Sequence, residues 1–143
     1  MPGAGVRFGR PEGGFVPRPG PRHHLFVGDE TASAAFGPMA RALHTQGAEV
    51  RAVIETDTPA ERLPLHGDIT WHCREGASAA PSAGLLAALR EARLPEPGDA
   101  LAYVAGEART IQSVRRHLVH DRGRLRRAVV TKPFWTRGKR GLD

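Results

Sequence analysis

The nine residues from His24 to Ala32, HLFVGDETA, decide the fold of this chain. They begin with an apolar run of strand length and pass through Gly28 into a short polar segment. Apolar side chains then recur at the spacing of one helix face, at Ala32, Ala35, Phe36, Met39 and Leu43. An apolar run without alternation is typical of a strand in a parallel sheet, which is buried on both faces. The stretch therefore predicts a buried strand, a turn at residues 28–31 and an amphipathic helix.

The same order of strand and helix repeats along the chain. Later β-rich runs cover residues 50–54, 69–73, 101–105 and 128–131, and helical apolar stripes cover residues 85–92 and 111–118. Strands that alternate with helices require right-handed crossovers, which place helices on both faces of a parallel sheet. We therefore expect an α/β fold, a three-layer sandwich with a five-stranded parallel sheet.

Two boundaries of the predicted helices and strands depend on proline. Gly37 and Pro38 interrupt the first helical pattern, so the helix is either kinked there or regular only from Pro38 onwards. The fifth strand is expected to end before Pro133, because proline cannot donate to a sheet ladder.

Length and composition favour one globular domain. The chain has 143 residues, of which 40% are hydrophobic and 25% are charged. Cys73 is the only cysteine, so an internal disulfide and a multi-cysteine zinc site are excluded. No apolar run approaches the roughly 20 residues that span a bilayer, and no secretory signal begins the chain. These features favour a cytoplasmic protein without membrane association.

Three segments differ in composition. Residues 1–21 are rich in glycine and proline and are interpreted as a lead-in or linker. Residues 22–138 hold the strand and helix pattern, and residues 139–143 form a basic tail. The formal charge is +6, and the basic excess lies in the C-terminal third. Such a field attracts nucleotides, nucleic acids or other polyanions, although a charged run is more often a solvated face.

Ligands bind such sheets beyond the carboxyl ends of the strands, where the strand order reverses. Neither G-x-G-x-x-G nor G-x-x-x-x-G-K-[ST] occurs, so the chain has no dinucleotide fingerprint and no Walker loop. Thr31 or Ser33 is expected to cap the first helix. The segments expected at the carboxyl ends are Gly28 to Thr31, Glu55 to Asp57, the residues after Cys73, Gly106 to Ala108, and those beyond Lys132.

Four short motifs at these positions resemble a known family. They are Gly28-Asp29-Glu30-Thr31-Ala32, Trp71 in the third strand, Ala105-Gly106-Glu107-Ala108, and the closing Phe134-Trp135-Thr136-Arg137-Gly138. In order and spacing across residues 22–138 they are similar to the C-terminal domain of siderophore-interacting proteins. That family resembles the ferredoxin-reductase superfamily, in which a β-barrel binds FAD and an α/β domain binds NAD(P)H. The resemblance implies a ferredoxin-reductase NAD(P)-binding-domain-like fold.

The resemblance also implies which residues bind the cofactors. The segment Gly28 to Thr31 would lie by the nicotinamide and the flavin, and Gly106 with Glu107 would line the same cleft. Trp135 and Arg137 would help to close the site. Hydride transfer belongs to the cofactors, while the protein supplies position and electrostatics. We therefore assign no catalytic residue and no metal ligand.

Coenzyme preference is left open by the sequence. Glu55, at the end of the second strand, is a candidate for binding the ribose 2′-hydroxyl of NADH, although a solvated loop acid is the more ordinary interpretation. Arg62 or Arg74 is an equal candidate for attracting the 2′-phosphate of NADPH. The expected cofactor is therefore NADH or NADPH.

Two features depart from the family pattern. Ser33-Ala34-Ala35 follows the first motif, where the family has an apolar residue and then proline. Only about twenty residues precede the domain, whereas an FAD-binding barrel needs roughly eighty or more. We therefore expect FAD only through a separate domain, and oxidoreductase activity only when that domain is supplied in trans.

These observations lead to three interpretations of function. The first is the NAD(P)H-binding half of a flavin-dependent ferric-siderophore reductase. The alternative is a non-catalytic module of the same fold that binds a nucleotide or a protein, and a weaker one is nucleic-acid binding through the basic C-terminal third. Expected partners are a separate FAD-binding domain, an anionic ferric siderophore and a second copy of the chain. Sparse aromatic residues in the basic third argue against nucleic acid.

Overall fold

Strands and helices alternate through the described part of the chain. A computed structural model describes residues 22–63, 65, 67–74, 82–94 and 100–136. The predictions for the lead-in at residues 1–21, for Arg137 and for the tail at residues 139–143 lie outside these ranges. The strands are β1 (His23–Asp29), β2 (Glu49–Thr56), β3 (Asp68–Cys73), β4 (Ala100–Glu107) and β5 (Val129–Trp135). The helices are α1 (Glu30–Thr45), α2 (Ala83–Glu91) and α3 (Ala108–Arg116).

The five strands form one parallel sheet in the order β3-β2-β1-β4-β5. The chain first winds outwards from β1 to β3, then crosses back to β4 and continues to β5. The strand order therefore reverses between β1 and β4. Helix α1 packs on one face of the sheet, and α2 and α3 pack on the other. This arrangement confirms the predicted three-layer α/β sandwich.

Alternating side chains of β1 build the two cores. Leu25 and Val27 pack with α2 and α3, whereas Phe26 packs on the α1 side. There the ring centroids of Phe26 and Phe36 are 4.9 Å apart, and those of Phe26 and Tyr103 are 5.1 Å apart. Each large aromatic side chain buries about 150–250 Å² on folding, so this cluster fixes α1 against the sheet.

The structure differs from the sequence prediction at both element boundaries that involve proline. Helix α1 is continuous from Glu30 to Thr45 with Pro38 inside it, so a start at Pro38 is wrong. Strand β5 continues through Pro133, which pairs with Gly106 beside an irregularity in the register. Because β5 is the last strand in the sheet order, the missing N–H of Pro133 is tolerated at this edge.

One π-helical turn, His117–Asp121, follows α3. The backbone N–H of Arg122 donates to the carbonyl of His117 at 3.0 Å, and His117 Nδ1 lies 2.9 Å from Asp121 Oδ2. This hydrogen bond from His117 lowers the pKa of Asp121 below its ordinary value. The His117 ring is buried beside α3.

Candidate functional site

Asp29, at the carboxyl end of β1, joins three segments that are distant in sequence. It is 5% exposed. Its Oδ1 accepts hydrogen bonds from the Thr31 backbone N–H, at 2.9 Å, and from the Thr31 hydroxyl. Its Oδ2 accepts from the backbone N–H of Glu107 at 3.2 Å and from the indole N–H of Trp135 at 3.0 Å. One carboxylate thereby holds the ends of β1, β4 and β5 together.

Two glycines leave room for this arrangement. A Cβ on Gly28 would lie 2.4 Å from the carbonyl oxygen of Ala105 in the neighbouring strand. A Cβ on Gly106 would lie 2.7 Å from Asp29 Oδ2. The φ of Gly106 is also +137°, a conformation that residues with side chains rarely adopt. Glycine is therefore required by packing at both strand ends.

The first helix is capped by Asp29 rather than by the predicted Thr31 or Ser33. Asp29 has an extended backbone, with φ −108° and ψ −171°, which lets its carboxylate turn back to the Thr31 N–H. Ser33 instead donates its hydroxyl to the carbonyl of Glu30 at 3.1 Å. A carboxylate at this end also complements the positive end of the helix dipole.

Glu107 caps α3 in the same way, at the end of β4. The residue is 1% exposed, and its carboxylate accepts from the backbone N–H groups of Arg109 and Thr110 at 2.9 and 2.8 Å. It also accepts the Thr110 hydroxyl at 2.8 Å. The Thr110 oxygen in turn accepts the backbone N–H of Ser82 at 2.9 Å. The start of α3 is thereby joined to the start of α2.

Glu55, at the end of β2, is the centre of a second buried cluster. It is 1% exposed, and it accepts hydrogen bonds from the Ser82 hydroxyl and from Arg74 Nη1, the latter at 3.0 Å. His72 Nε2 lies 3.6 Å from the other carboxylate oxygen. Arg74 also donates from both terminal nitrogens to Glu30. The cluster therefore connects β2, α2 and the first turn of α1.

The charge of Arg74 is fixed by these contacts. Its hydrogen bonds with Glu30 raise its pKa above the ordinary arginine value; burial opposes the shift, and Glu55 adds to it. The Arg74 side chain is 8% exposed. A guanidinium already held by two carboxylates is a weak attractor for a further anion.

The predicted site residues fall into two connected groups. Gly28, Asp29, Thr31, Gly106, Glu107 and Trp135 meet where the strand order reverses. Glu30 and Glu55 meet through Arg74 beside them. Arg137 lies outside the described residues.

Sequence reasoning missed Ser82 and Thr110. Ser82 caps α2 by accepting the Leu85 N–H at 3.0 Å, and a serine before a helical pattern is a readable cap signal. Its bond to Glu55 spans 27 residues and has no local signal. For Thr110, the sequence pattern predicts a position in α3 but not its side-chain hydrogen bonds. Within the described ranges, no set of three His, Cys, Asp or Glu side chains is grouped as metal ligands. No helix there is long and apolar enough to cross a membrane.

Comparison with solved structures finds the same architecture. A siderophore utilization protein from T. fusca is 32% identical, with a TM-score of 0.72 over 88% of this chain and 49% of that one. The siderophore-interacting protein SipS from Aeromonas hydrophila is 22% identical, with a TM-score of 0.67 over 81% and 51%. A ferredoxin reductase in carbazole 1,9a-dioxygenase is 18% identical, with a TM-score of 0.63 over 82% and 40%. The chain thus spans about half the length of the siderophore-related structures. A comparison with curated proteins found no match.

The sheet order and these neighbours define an α/β domain with a ferredoxin-reductase-like fold. The sequence profile of siderophore-interacting proteins matches residues 21–138. The chain belongs to the siderophore-interacting protein family.

Proposed function

We propose that residues 22–138 form the NAD(P)H-binding half of a flavin-dependent ferric-siderophore reductase. The observation that carries this proposal is the contact set of Asp29, which joins the motifs GDET, AGE and FW where the strand order reverses. Ligands bind open α/β sheets at this position. Family membership supports the same conclusion. The proposed partners are a separate FAD-binding domain and an anionic ferric siderophore.

The hydrogen-bond acceptors at the carboxyl end of the sheet fit the nicotinamide rather than a phosphate. Asp29 and Glu107 place two buried carboxylates at the starts of α1 and α3, where they already use the Thr31, Arg109 and Thr110 N–H groups. The four hydrogen bonds to Asp29 fill its acceptor sites, whereas Glu107 Oε2 accepts one hydrogen bond and keeps a further acceptor site that suits the amide N–H₂ of a carboxamide. When bound, the nicotinamide supplies the hydride, and the flavin on the separate domain accepts it. Asp29 holds the segment that carries Trp135 in the position that nicotinamide binding requires.

Coenzyme binding can be measured on the full chain, because its two tryptophans report separately. In a Trp71→Phe variant, millimolar NADH or NADPH is expected to quench the emission of Trp135, which lies at the strand switch. In the matched Trp135→Phe variant, the emission of Trp71 in β3 is expected to change little. Calorimetry on the unaltered chain gives the affinity. Adding an FAD-binding domain and a ferric siderophore is then expected to give NAD(P)H-dependent ferric reduction.

Two outcomes separate the alternatives. Coenzyme binding without ferric reduction would favour a non-catalytic nucleotide-binding module of the same fold. Absence of binding for both coenzymes at millimolar concentration, together with no ferric reduction, would contradict the reductase assignment.

We further propose that the domain prefers NADH. Arg74 is held by Glu30 and Glu55, so a 2′-phosphate near the end of β2 would meet these carboxylates, while the guanidinium of the other candidate, Arg62, lies 5.6 Å from the centroid of the Trp71 ring. Glu55 acts here through its charge and its hold on Arg74, because its side chain is buried. Asp57, 3.9 Å from Arg74 Nε, adds a further negative charge. Repulsion of the extra phosphate lowers NADPH affinity relative to NADH.

Releasing Arg74 is expected to shift this preference. Glu30→Gln removes one carboxylate from the guanidinium, so the ratio of the NADPH to the NADH dissociation constant should fall by about fivefold, an effect typical of one partly exposed ion pair. Glu49→Gln is the matched control, because Glu49 is an exposed acid at the opposite end of β2. Calorimetric titration with both coenzymes gives the ratio. An unchanged ratio in Glu30→Gln would contradict the proposed role of Arg74.

A further inference from the structure

A concave surface lies between α3 and β5, away from the strand switch. It has a volume of about 350 Å³. Its lining comes from α3, the π-helical turn, the turn before β5, and β5 itself, with Ile111 and Val119 as apolar components. Thr131, which lines it, pairs with Val104 and precedes Trp135 by four residues, which is about 13 Å along a strand. This α3–β5 groove is therefore separate from the Asp29 cluster.

The groove is strongly cationic. Arg115, Arg116 and His120 line it from the helical side, and Arg126 lines it from the turn before β5. No aspartate or glutamate of the described residues lines it. Across the described part of the chain, none of these three arginines forms an ion pair, unlike Arg74 with its two carboxylates. Within the described residues, the charges of these three arginines are therefore not paired with a carboxylate, and Asp121 is the acid that lies beside His120.

Helical geometry explains why these side chains converge. Arg115 and Val119 are four residues apart, as are Arg116 and His120, and such pairs are neighbours on a helix surface. The π-helical turn His117–Asp121 supplies both Val119 and His120 to the groove. Single π-helical turns are rare and often occur at functional sites.

We propose that the α3–β5 groove binds a compact anion that carries several phosphate groups. Its volume falls in the range of small-molecule sites, roughly 300–1,000 Å³. The planar guanidinium of arginine binds phosphate through paired hydrogen bonds, and here arginines approach from two walls. Such an arrangement suits a ligand with charged groups at more than one position. Among the described residues, no phenylalanine, tyrosine or tryptophan lines the groove, so His120 is the one ring there on which a nucleic-acid base could stack.

Titration of the full chain with inorganic tripolyphosphate tests this site without any coenzyme. In amide NMR spectra, Gln112, Val119 and Thr131 should shift, while Thr31 and Glu107 at the strand switch should not. ATP and citrate as parallel probes separate a nucleotide from a free polyphosphate and phosphate from carboxylate chemistry. Tripolyphosphate or ATP is expected to bind more tightly than citrate by at least about fivefold.

Charge-removing variants locate the binding. Arg115→Gln and Arg126→Gln, both at exposed positions, should each weaken tripolyphosphate binding by about fivefold. Arg41→Gln on α1 is the matched control and should leave the affinity unchanged. Equal weakening by Arg41→Gln would indicate attraction by net charge alone and would overturn the proposal. Shifts confined to Thr31 and Glu107, or binding of an oligonucleotide without tripolyphosphate binding, would also overturn it.

Discussion

Replacing Asp29 with alanine is expected to lower the free energy of unfolding by about 3 kcal/mol, because one buried and two half-buried donors then lose a charged acceptor. The donors are the backbone N–H groups of Thr31 and Glu107 and the indole N–H of Trp135. The helix cap of α1 is lost as well. Urea unfolding measures the change as a shift of the midpoint at constant slope.

Asp29→Asn separates the cap from the connection between strands. Asparagine caps helices about as well as aspartate, so the bond to Thr31 can remain. Its amide N–H₂, however, would face the N–H groups of Glu107 and Trp135, which are donors themselves. We expect a loss of about 1–2 kcal/mol and a non-additive effect when Asp29→Asn is combined with Trp135→Phe. Full additivity would show that Asp29 and Trp135 are not coupled.

Gly106→Ala is expected to cost about 3 kcal/mol of unfolding free energy, through backbone strain and a steric clash together. The φ of +137° disfavours alanine, and the new Cβ would lie 2.7 Å from the Asp29 carboxylate. Thermal and urea unfolding both report the loss. The domain should also lose coenzyme affinity, because the clash displaces Asp29 at the proposed site.

Gly37→Ala is the matched control for this substitution. Gly37 lies inside α1, where the nearest described atom to a Cβ outside the helix is Leu65 Cδ2, at 3.8 Å. Alanine is a better helix former, but the ring of Pro38 crowds a Cβ on the helical residue before it, so this variant should change the free energy of unfolding by less than about 1 kcal/mol. The double variant Asp29→Ala with Gly106→Ala should lose less than the sum of the single losses, since removing the carboxylate removes the clash. A Gly106→Ala variant as stable as the parent would contradict the close approach.

The sequence predicts the fold well because its signals are local. The run HLFVGDETA contains an apolar strand, a glycine at its end and a helix with an apolar stripe, and the structure forms these elements as β1 and α1. The boundaries predicted at Pro38 and Pro133 were wrong. A proline in a sequence predicts the loss of a backbone hydrogen bond, and therefore the end of a helix or strand. Tertiary packing of Phe36 and Met39 keeps α1 continuous, and the edge position of β5 makes Pro133 tolerable.

The site can be predicted only in part from the sequence, because its side-chain contacts join residues that are distant along the chain. Asp29 meets Glu107 and Trp135 across 78 and 106 residues, and such pairs follow from the strand order rather than from any local pattern. The same holds for Glu55, which reads as a loop acid at a strand end yet is buried. Sequence reasoning located the carboxyl end of the sheet, whereas side-chain pairing there required the strand register.

Pro133 has a consequence for how copies of this domain can associate. An edge strand presents unpaired backbone groups that can recruit a strand from another molecule, and such pairing can propagate into aggregates. On β5, a proline stands in the middle of the edge and removes one of the donors that an incoming strand would need. Strand addition at this edge is therefore discouraged, and pairing between sheets of two copies would have to use the opposite edge, which is formed by β3.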